Sequence, residues 1–343
     1  MDDVAVERRG VGDAARFGYA VLTAAATLVL LCFGGLVTSK GAGMAVPDWP
    51  TSFGYNMFFF PWSMMIGGVF YEHSHRLLGA LVGVLTVGLM AWIWWREPRR
   101  WLKGAAAGAV ILVVVQGVLG GLRVIWATNE IGIIHAVSGQ SFFVLVSAIA
   151  LWGSGYWSRI EALAGTADSA IIGRITRTAW VALALTIVQL VIASTMRHAH
   201  RGLSIPDFPL AYGEIWPSVS ESSLAAINTW RGDKLGLPST TAPLIWLQLA
   251  HRYVAVAIVV GACALWVQSR RFDGGARIGG WALAIMAVVG IQFCLGVWTV
   301  WSNKAADIAT GHMAVGAVLL VALSLMLIVL VRLKRPPCRG GPS

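Results

Sequence analysis

Charged residues are scarce in this chain, which contains 343 residues but only 16 acidic and 26 basic side chains. They make up 12% of the sequence against 57% hydrophobic residues, whereas a typical soluble domain is about 25% charged. So little charge excludes an ordinary soluble protein. The formal net charge of +10 does not indicate nucleic-acid binding, because the basic residues form short clusters between long apolar runs.

Cysteine is also rare, and the four cysteines form no recognisable pair. Cys32, Cys263 and Cys294 lie within apolar runs, and Cys338 lies near the end of the sequence. No CxxC motif occurs. The spacing therefore supports neither a disulfide framework nor a zinc site.

Long apolar runs are abundant instead, and a membrane-spanning helix needs about 20 such residues. The first run is long enough to span, so it is interpreted as a transmembrane helix and not as a cleavable signal. The sequence predicts an all-α integral membrane protein with eight spans. The predicted spans are about 17–38, 73–95, 103–126, 131–153, 174–196, 244–268, 278–301 and 308–331.

Lysine and arginine concentrate in alternate connections between these runs. They precede the first span and follow the second, fourth, sixth and eighth. Because basic residues are enriched on the cytoplasmic side, both termini are predicted to be cytoplasmic. The two long connections, roughly 39–72 and 197–243, then face outward from the cytoplasmic (inner) membrane.

The two halves of the sequence repeat each other. Residues 43–54 and 202–213 both read GxxhPDhPxxhG, where h is apolar or aromatic. His-Arg pairs, Gln-x-x-x-Gly and His-x-x-x-Gly follow in register in both halves. Four spans per copy give both copies one orientation, so the repeat predicts two pseudo-symmetric parallel four-helix bundles. The predicted divisions are a cytoplasmic tail (1–16), a first bundle (17–156), a cytoplasmic linker (157–172), a second bundle (173–332) and a cytoplasmic tail (333–343).

Four histidines are placed at the outer ends of the even-numbered predicted spans: His75, His135, His251 and His312. Ionisable residues inside a membrane are uncommon and usually functional. A single such histidine often only hydrogen-bonds a neighbouring helix. Two per repeat at matching depth favour pairs of axial haem ligands, His75 with His135 and His251 with His312. The metal in each site would be haem iron.

Other residues near these histidines are candidates for the pocket. Arg76 and Arg252 directly follow a histidine, and Arg123 and Gln116 lie in the third span. Guanidinium groups suit carboxylates such as haem propionates, although interfacial snorkelling explains them equally well. Three further histidines stand apart. His73 lies on the face opposite His75, and His198 and His200 are expected to be surface residues.

The sharpest difference between the halves is Glu72 against Gln248. Each lies three residues before a histidine, but only the glutamate can ionise. This asymmetry predicts a reacting haem in the first half and a structural or electron-relaying haem in the second. Capping of the helix start remains an alternative role for Glu72. Arg123 is also specific to the first half, since Thr299 is its counterpart.

These motifs resemble the haem A synthase family over about residues 17–332. The resemblance rests on ExxHR at 72–76, QGVLGGLRV in the third span, His135, His251-Arg252, His312 and the two PDWP-like loops. It implies oxidation of the C8 methyl of haem O to a formyl group, which gives haem A for terminal cytochrome oxidases. Many bacterial members carry a cysteine pair in the first outer loop, and this chain resembles the members without it.

The resemblance also implies roles for individual residues. His75 and His135 would hold the substrate haem, with Glu72 catalytic near the reacting methyl. His251 and His312 would hold a haem b cofactor that passes electrons. Haem O synthase, the protohaem farnesyltransferase, is the implied substrate donor within the lipid. The electron partner and any homo-oligomer stay open.

Three other functions are weighed against this one. A diheme cytochrome b electron carrier would need no carboxylate beside only one haem. A transporter with parallel repeats would place its polar site near the midplane, away from where these histidines fall. An assembly or insertion factor accounts for neither the paired histidines nor Glu72.

Overall fold

The computed structural model describes residues 2–166, 168–199, 202–270, 272 and 276–335. This described part contains ten α-helices and two short 3-10 helices, Met57–Phe59 and Trp62–Met64. The α-helices are α1 (Asp2–Ser39), α2 (Gly67–Arg96), α3 (Arg100–Trp126), α4 (Asn129–Trp152), α5 (Gly155–Ala162), α6 (Ser169–His198), α7 (Glu221–Leu235), α8 (Ala242–Ser269), α9 (Ile278–Trp301) and α10 (Ala306–Lys334).

Eight of the described helices are long and apolar enough to cross a membrane, namely all except α5 and α7. They coincide with the eight predicted spans, so the prediction of an all-α protein with eight spans is confirmed. The segment predicted as a tail, 1–16, is helical from Asp2 onward because α1 starts there.

The helices that carry the paired histidines begin earlier than predicted, which corrects the depth of these residues. His75 lies in α2, which begins at Gly67, and His251 lies in α8, which begins at Ala242. At 3.6 residues per turn, the four histidines lie about one and a half to two and a half turns inside their helices. In α8 the proline at position 243 lies in the first turn, where proline is well tolerated, so it does not delay the start of the helix.

The sequence pattern does not predict the short helices α5 and α7. Each starts at a serine whose side chain caps it: Ser154 accepts from the Trp157 amide, and Ser220 accepts from the Ser223 amide. α7 ends at Leu235 and is followed by Gly236, whose positive φ of 60° suits glycine. α5 lies within the connection between the halves, and α7 belongs to the long loop before α8.

The eight long helices pack as two groups of four. α1 contacts α2 and α4, and α3 contacts the same two helices, which closes the first group. α6, α8, α9 and α10 close the second group in the same cyclic order. The groups meet where α10 contacts α1 and α4, and where α4 contacts α6.

Aliphatic side chains fill each group at the end away from the paired histidines. They are buried on the same helices, three or more turns further along. In the first group they include Leu89, Ile93, Val146 and Ile149, and in the second Leu265, Leu323, Met326 and Leu330. Burial of this apolar surface stabilises both groups. The paired histidines lie at the opposite end of the same helices.

Candidate functional site

Each group of four helices contains one pair of facing imidazoles. His75 on α2 faces His135 on α4, with ring centroids 6.5 Å apart and an interplanar angle of 88°. His251 on α8 faces His312 on α10 at 6.3 Å and 67°. The predicted pairing of the four histidines is thus the pairing that the fold brings about.

These separations match two imidazoles on opposite sides of one metal ion. A metal lies about 2 Å from a ligating imidazole nitrogen, so the two ring centroids would be about 6.3 Å apart. No three His, Cys, Asp or Glu side chains come together as a metal site among the described residues. Two imidazoles alone form an incomplete site for a bare ion. Haem iron needs only two axial ligands, because the porphyrin supplies the other four.

Unpartnered ring nitrogens give an independent test of the fit. The Nδ1 atoms of His75, His135 and His251 are buried and have no hydrogen-bond partner in the described part of the chain. Leaving a buried polar atom unpaired costs about 1–3 kcal/mol. His312 Nδ1 lies 3.1 Å from the Gln292 carbonyl, and His135 interacts less closely with the backbone at the matching position, Gln116. The residues present therefore fit an additional group held between the rings.

Glycines give the rings and their surroundings room. A Cβ at Gly120 would lie 3.5 Å from His135 Cε1, and a Cβ at Gly296 would lie 3.1 Å from His312 Cε1. A Cβ at Gly79 or Gly83, on the His75 face of α2, would meet nothing within 4 Å. Gly296 thus admits its imidazole at close range, a Cβ at Gly120 would make ordinary contact, and the other two glycines leave open space beside His75.

Glu72 and Gln248 attach the same point of each outer loop to its helix. Glu72 Oε2 accepts from the Val46 amide at 2.9 Å, and Gln248 Oε1 accepts from the Ile205 amide at 2.8 Å. Both side chains are buried. Gln248 also donates to the Ile205 carbonyl at 3.0 Å, whereas Glu72 instead pairs with Arg76 at 2.8 Å. The two residues share a loop contact, and only the first carries an ion pair.

Arg76 and Arg252 bind loop carbonyls at matched positions. Arg76 donates to the carbonyls of Val46 at 3.0 Å, Asp48 at 2.7 Å and Thr51 at 3.0 Å. Arg252 donates to the corresponding carbonyls, which are those of Ile205 at 3.4 Å, Asp207 at 2.6 Å and Leu210 at 2.9 Å. These contacts occupy guanidinium donors that the sequence assigns to haem propionates. Together with Glu72 or Gln248, each arginine forms what we call the loop latch of its half.

The motif shared by the two loops folds into the same turn. Asp48 accepts from the amides of Phe53 at 2.7 Å and Gly54 at 2.8 Å, and Asp207 makes the corresponding contacts with Tyr212 and Gly213. Gly54 and Gly213 have φ values of 78° and 82°, which explains the glycine that ends the motif. Burial would raise the pKa of Asp48, but these hydrogen bonds outweigh it and lower that pKa.

Trp49 fixes the first loop against α3. A Cβ at Gly121 would lie 2.3 Å from the Trp49 indole, so the ring occupies a notch that only glycine leaves open. In the second loop the corresponding aromatic, Phe208, packs edge-on against Phe293 on α9 with ring centroids 6.1 Å apart. An aromatic of each loop therefore covers the helix that follows the latch.

Three glutamines differ in their relation to the histidines. Gln116 donates to Ser138 Oγ at 2.7 Å, one turn from His135 on α4. Gln292 Nε2 lies 3.5 Å from His312 Nε2, and Gln189 Nε2 lies 3.3 Å from His251 Nε2. The sequence pattern does not predict Gln189. Comparing α6 with α1 would have revealed it, because Leu30 stands at the matching position of the first half.

His73 is a buried loop contact. Its Nδ1 lies 3.1 Å from Ser52 Oγ, and its ring packs on Phe60 at 4.6 Å. It points away from the pair that contains His75, as the helical spacing predicts.

The prediction of a surface position for His198 is wrong. α6 extends to His198 and carries its side chain into the protein, where it is buried. A Cβ at Gly132 on α4 would lie only 2.7 Å from His198 Nδ1. This histidine of the second group therefore reaches the first. His200 lies outside the described residues.

Arg123 is half-buried at the end of α3. A Cβ at Gly43 would lie 2.8 Å from its Nη2, and a Cβ at Gly132 would lie 3.1 Å from its Nε. It also borders a cavity of about 130 Å³ together with Thr128 and Asn129. Among the described residues Arg123 has no hydrogen bond or ion-pair partner, unlike Arg76 and Arg252.

The sequence has known relatives over most of its length. Residues 66–324 match the family model COX15-CtaA, described as cytochrome oxidase assembly protein. The chain is 29% identical to the haem A synthase of Rhodospirillum centenum, over 79% of this chain and 69% of that protein. It is 25% identical to the haem A synthase of Alkalihalophilus pseudofirmus, over 92% of this chain and 97% of that protein.

A further relative is the haem A synthase of Geobacillus kaustophilus, with 23% identity over 94% of both chains. The family match covers well over half of the present chain and includes all four paired histidines. The chain therefore belongs to the COX15-CtaA family of cytochrome oxidase assembly proteins.

Proposed function

We propose that this protein is a haem A synthase, a membrane oxidoreductase that converts haem O to haem A. The observation that carries the proposal is the presence of two imidazole pairs, 6.5 and 6.3 Å apart, one in each group of four helices. Membership of the family and the names of the relatives support the same activity.

The proposal assigns different tasks to the two pairs. His75 and His135 hold the substrate haem, and His251 and His312 hold a haem b cofactor. Two observations support this division. Gln189 and Gln292 lie against the second pair, whereas no side-chain amide hydrogen bond to the first pair is seen among the described residues. The buried carboxylate of Glu72 lies three residues from His75, and a neutral glutamine stands in its place in the second half.

Haem supplies the iron redox chemistry when it is bound, and haem O also supplies the methyl that is oxidised. The protein would hold the macrocycle through its imidazoles. Conversion of the methyl to a formyl group takes an oxygen atom, for example from water, passes electrons to an acceptor outside this chain and releases protons. Glu72 would be the acidic side chain placed to accept one proton at a carboxylate oxygen. Arg76, at 2.8 Å, fixes the orientation of that carboxylate.

The same proposal includes the finer architecture. The two groups of four helices are pseudo-symmetric parallel bundles in the cytoplasmic membrane, with the first spanning about 17–156 and the second about 173–332. Both termini are cytoplasmic, and the paired histidines lie toward the outer face. The matched loop latches and the equal order of helix packing support a repeated unit. Haem O synthase delivers the substrate within the membrane.

Co-expression with haem O synthase tests the activity. Cells that make haem O and this protein should yield haem A, identified by mass analysis of extracted pigments. Cells with haem O synthase alone provide the control. If the purified protein binds two haems but contains only haem b and forms no haem A, it is a diheme electron carrier and the proposed function is wrong.

A further inference from the structure

Two basic side chains from different groups of four helices meet at Gly132. Arg123 reaches this point from α3 and His198 reaches it from α6. A Cβ at Gly132 would lie 2.7 Å from His198 Nδ1 and 3.1 Å from Arg123 Nε, so an alanine would displace at least one of them. Contacts this short show that the missing side chain of Gly132 is what permits the meeting.

The loop side of Arg123 is equally restricted. A Cβ at Gly43 would lie only 2.8 Å from Arg123 Nη2. Gly43 is the first residue of the motif in the first outer loop. The guanidinium is therefore held between two glycines, one on the loop and one on α4, and its position is set by the backbone.

The donors of Arg123 have no acceptor in the described part of the chain. Arg76 and Arg252, by contrast, each donate to three loop carbonyls. The cavity of about 130 Å³ beside Arg123 also receives the start of α4 at Thr128 and Asn129. The hydroxyl of Thr128 is buried and unpartnered. A guanidinium, a hydroxyl and a helix N-terminus all favour an anion.

Arg123 and His198 lie next to the first pair of histidines. Gly132 precedes His135 by three residues, so it lies on the same face of α4, about one turn nearer the loops. Arg123 interacts electrostatically with both His75 and His135, and His198 does so with His135. A group bound between these imidazoles would have Arg123 and His198 at its outer edge.

We infer that Arg123 and His198, meeting at Gly132, form a carboxylate-binding site that holds a propionate of the haem bound between His75 and His135. This inference rests on the proposed function and adds to it a contribution from the second group of helices. A planar guanidinium can donate two parallel hydrogen bonds to one carboxylate, and an imidazole can add a third. The second half has Thr299 in place of Arg123.

Binding of protohaem and of its dimethyl ester, in which both propionates are blocked, tests the site. Purified protein from haem-limited cells is titrated with each in detergent. Arg123→Gln and His198→Gln should each weaken protohaem binding in the first half several-fold, and neither should weaken binding of the ester. Arg123→Lys should lie between wild type and Arg123→Gln. Lys234→Gln, which removes an exposed outer-loop charge, should change neither titration.

The outcomes separate this inference from the proposed function. Equal weakening for protohaem and ester, or no weakening for either, overturns the carboxylate site while the paired histidines still bind haem. Failure of the wild type to bind protohaem in the first half overturns the proposed function and this site with it. Helical content by circular dichroism, unchanged in each variant, shows that a loss reports the site and not misfolding.

Discussion

The two groups of four helices share a framework but differ in charge around it. Both hold an imidazole pair at nearly the same separation, and both fix an outer loop with a glutamate or glutamine and an arginine. The first has Glu72 and Arg123 where the second has Gln248 and Thr299. The same order of helix packing thus supports two electrostatic environments.

The two halves also differ in the glutamine side chains that contact the imidazoles. Gln189 and Gln292 lie against His251 and His312, whereas Gln116 is bonded to Ser138 instead. The second pair therefore has two side-chain amides beside its rings, whereas Glu72 and Arg123 of the first half have no charged counterparts in the second. Residues that are the same in both halves, such as the paired histidines, hold the rings in place. Residues that differ between the halves, such as Glu72 and Gln248, are where a difference in chemistry is expected.

Removing one histidine from each pair is expected to have the largest effect. His75→Ala should deplete the first site alone and His251→Ala the second alone, because each removes one of the two imidazoles that would hold that macrocycle. The haem content of the purified protein, measured as the pyridine haemochrome, should fall by about half in each case. His73→Ala, which changes a histidine outside the pairs, should keep both haems. Loss of both haems from a single variant would contradict independent sites.

Making the first half resemble the second at one residue should abolish the activity. Glu72→Gln keeps an oxygen for the Val46 amide but removes the ionisable group, so haem should still bind while haem A formation falls about 100-fold or more. Extracted pigments provide the measurement, and Gln248→Glu is the reciprocal control that should retain activity. Normal haem A content in Glu72→Gln would show that this residue serves only the loop latch.

The far end of the first group offers a test based on pH. Glu97 is buried and pairs with Arg99 at 2.7 Å and with Arg16 at 3.1 Å. Burial would raise the pKa of Glu97, but the hydrogen bonds and charges of these arginines outweigh it and lower that pKa. The pair therefore stabilises the fold above the ordinary carboxyl value of 4.5, and this stabilisation is lost as the pH falls below it.

Glu97→Gln should accordingly lower the free energy of unfolding by about 2 kcal/mol at pH 7. The difference from wild type should shrink as the pH falls below 4.5. Thermal unfolding in detergent across this range measures it, with Glu214→Gln in an exposed loop as the control. A difference that does not depend on pH would mean that the carboxylate charge contributes nothing. Asp273, the counterpart in the second half, lies outside the described residues.

The smallest effect is expected at Gln189. Gln189→Leu gives α6 the residue that α1 has at the matching position, Leu30, and removes the contacts with His251. Loss of the hydrogen bond that Gln189 donates to the His251 carbonyl at 3.0 Å should weaken haem binding in the second site about threefold. Titration with protohaem measures this, and Val191→Leu on the exposed face of α6 is the control. An unchanged affinity would show that the glutamine only packs there.

Much of this arrangement follows from the sequence. Run lengths predict the eight long helices, and the repeat predicts which histidines pair, because matching positions in two copies must face matching partners. The depth of His75 is less predictable, since Gly67 to Tyr71 give little indication of where the helix begins. The loop latch cannot be predicted from the sequence either, because Arg76 and Arg252 bind backbone carbonyls, which leave no pattern in the side chains.

His198 shows where pattern reading fails for a different reason. It follows a long apolar run and precedes polar residues, so its neighbours in sequence indicate a surface. Its burial depends on α4 packing against α6, a contact between the halves that no local pattern encodes. Gly132, which makes room for it, has no motif around it that would mark it as a partner.

The loop latch has a consequence for how such a protein can diverge. Each arginine recognises main-chain carbonyls, so the latch places few demands on which side chains the loop carries. The second loop has Phe208 where the first has Trp49, and it continues into the additional helix α7, yet the latched turn is the same in both. The side chains and the length of a loop can therefore change, or a loop can be exchanged between the halves, while the latched turn keeps the same backbone conformation.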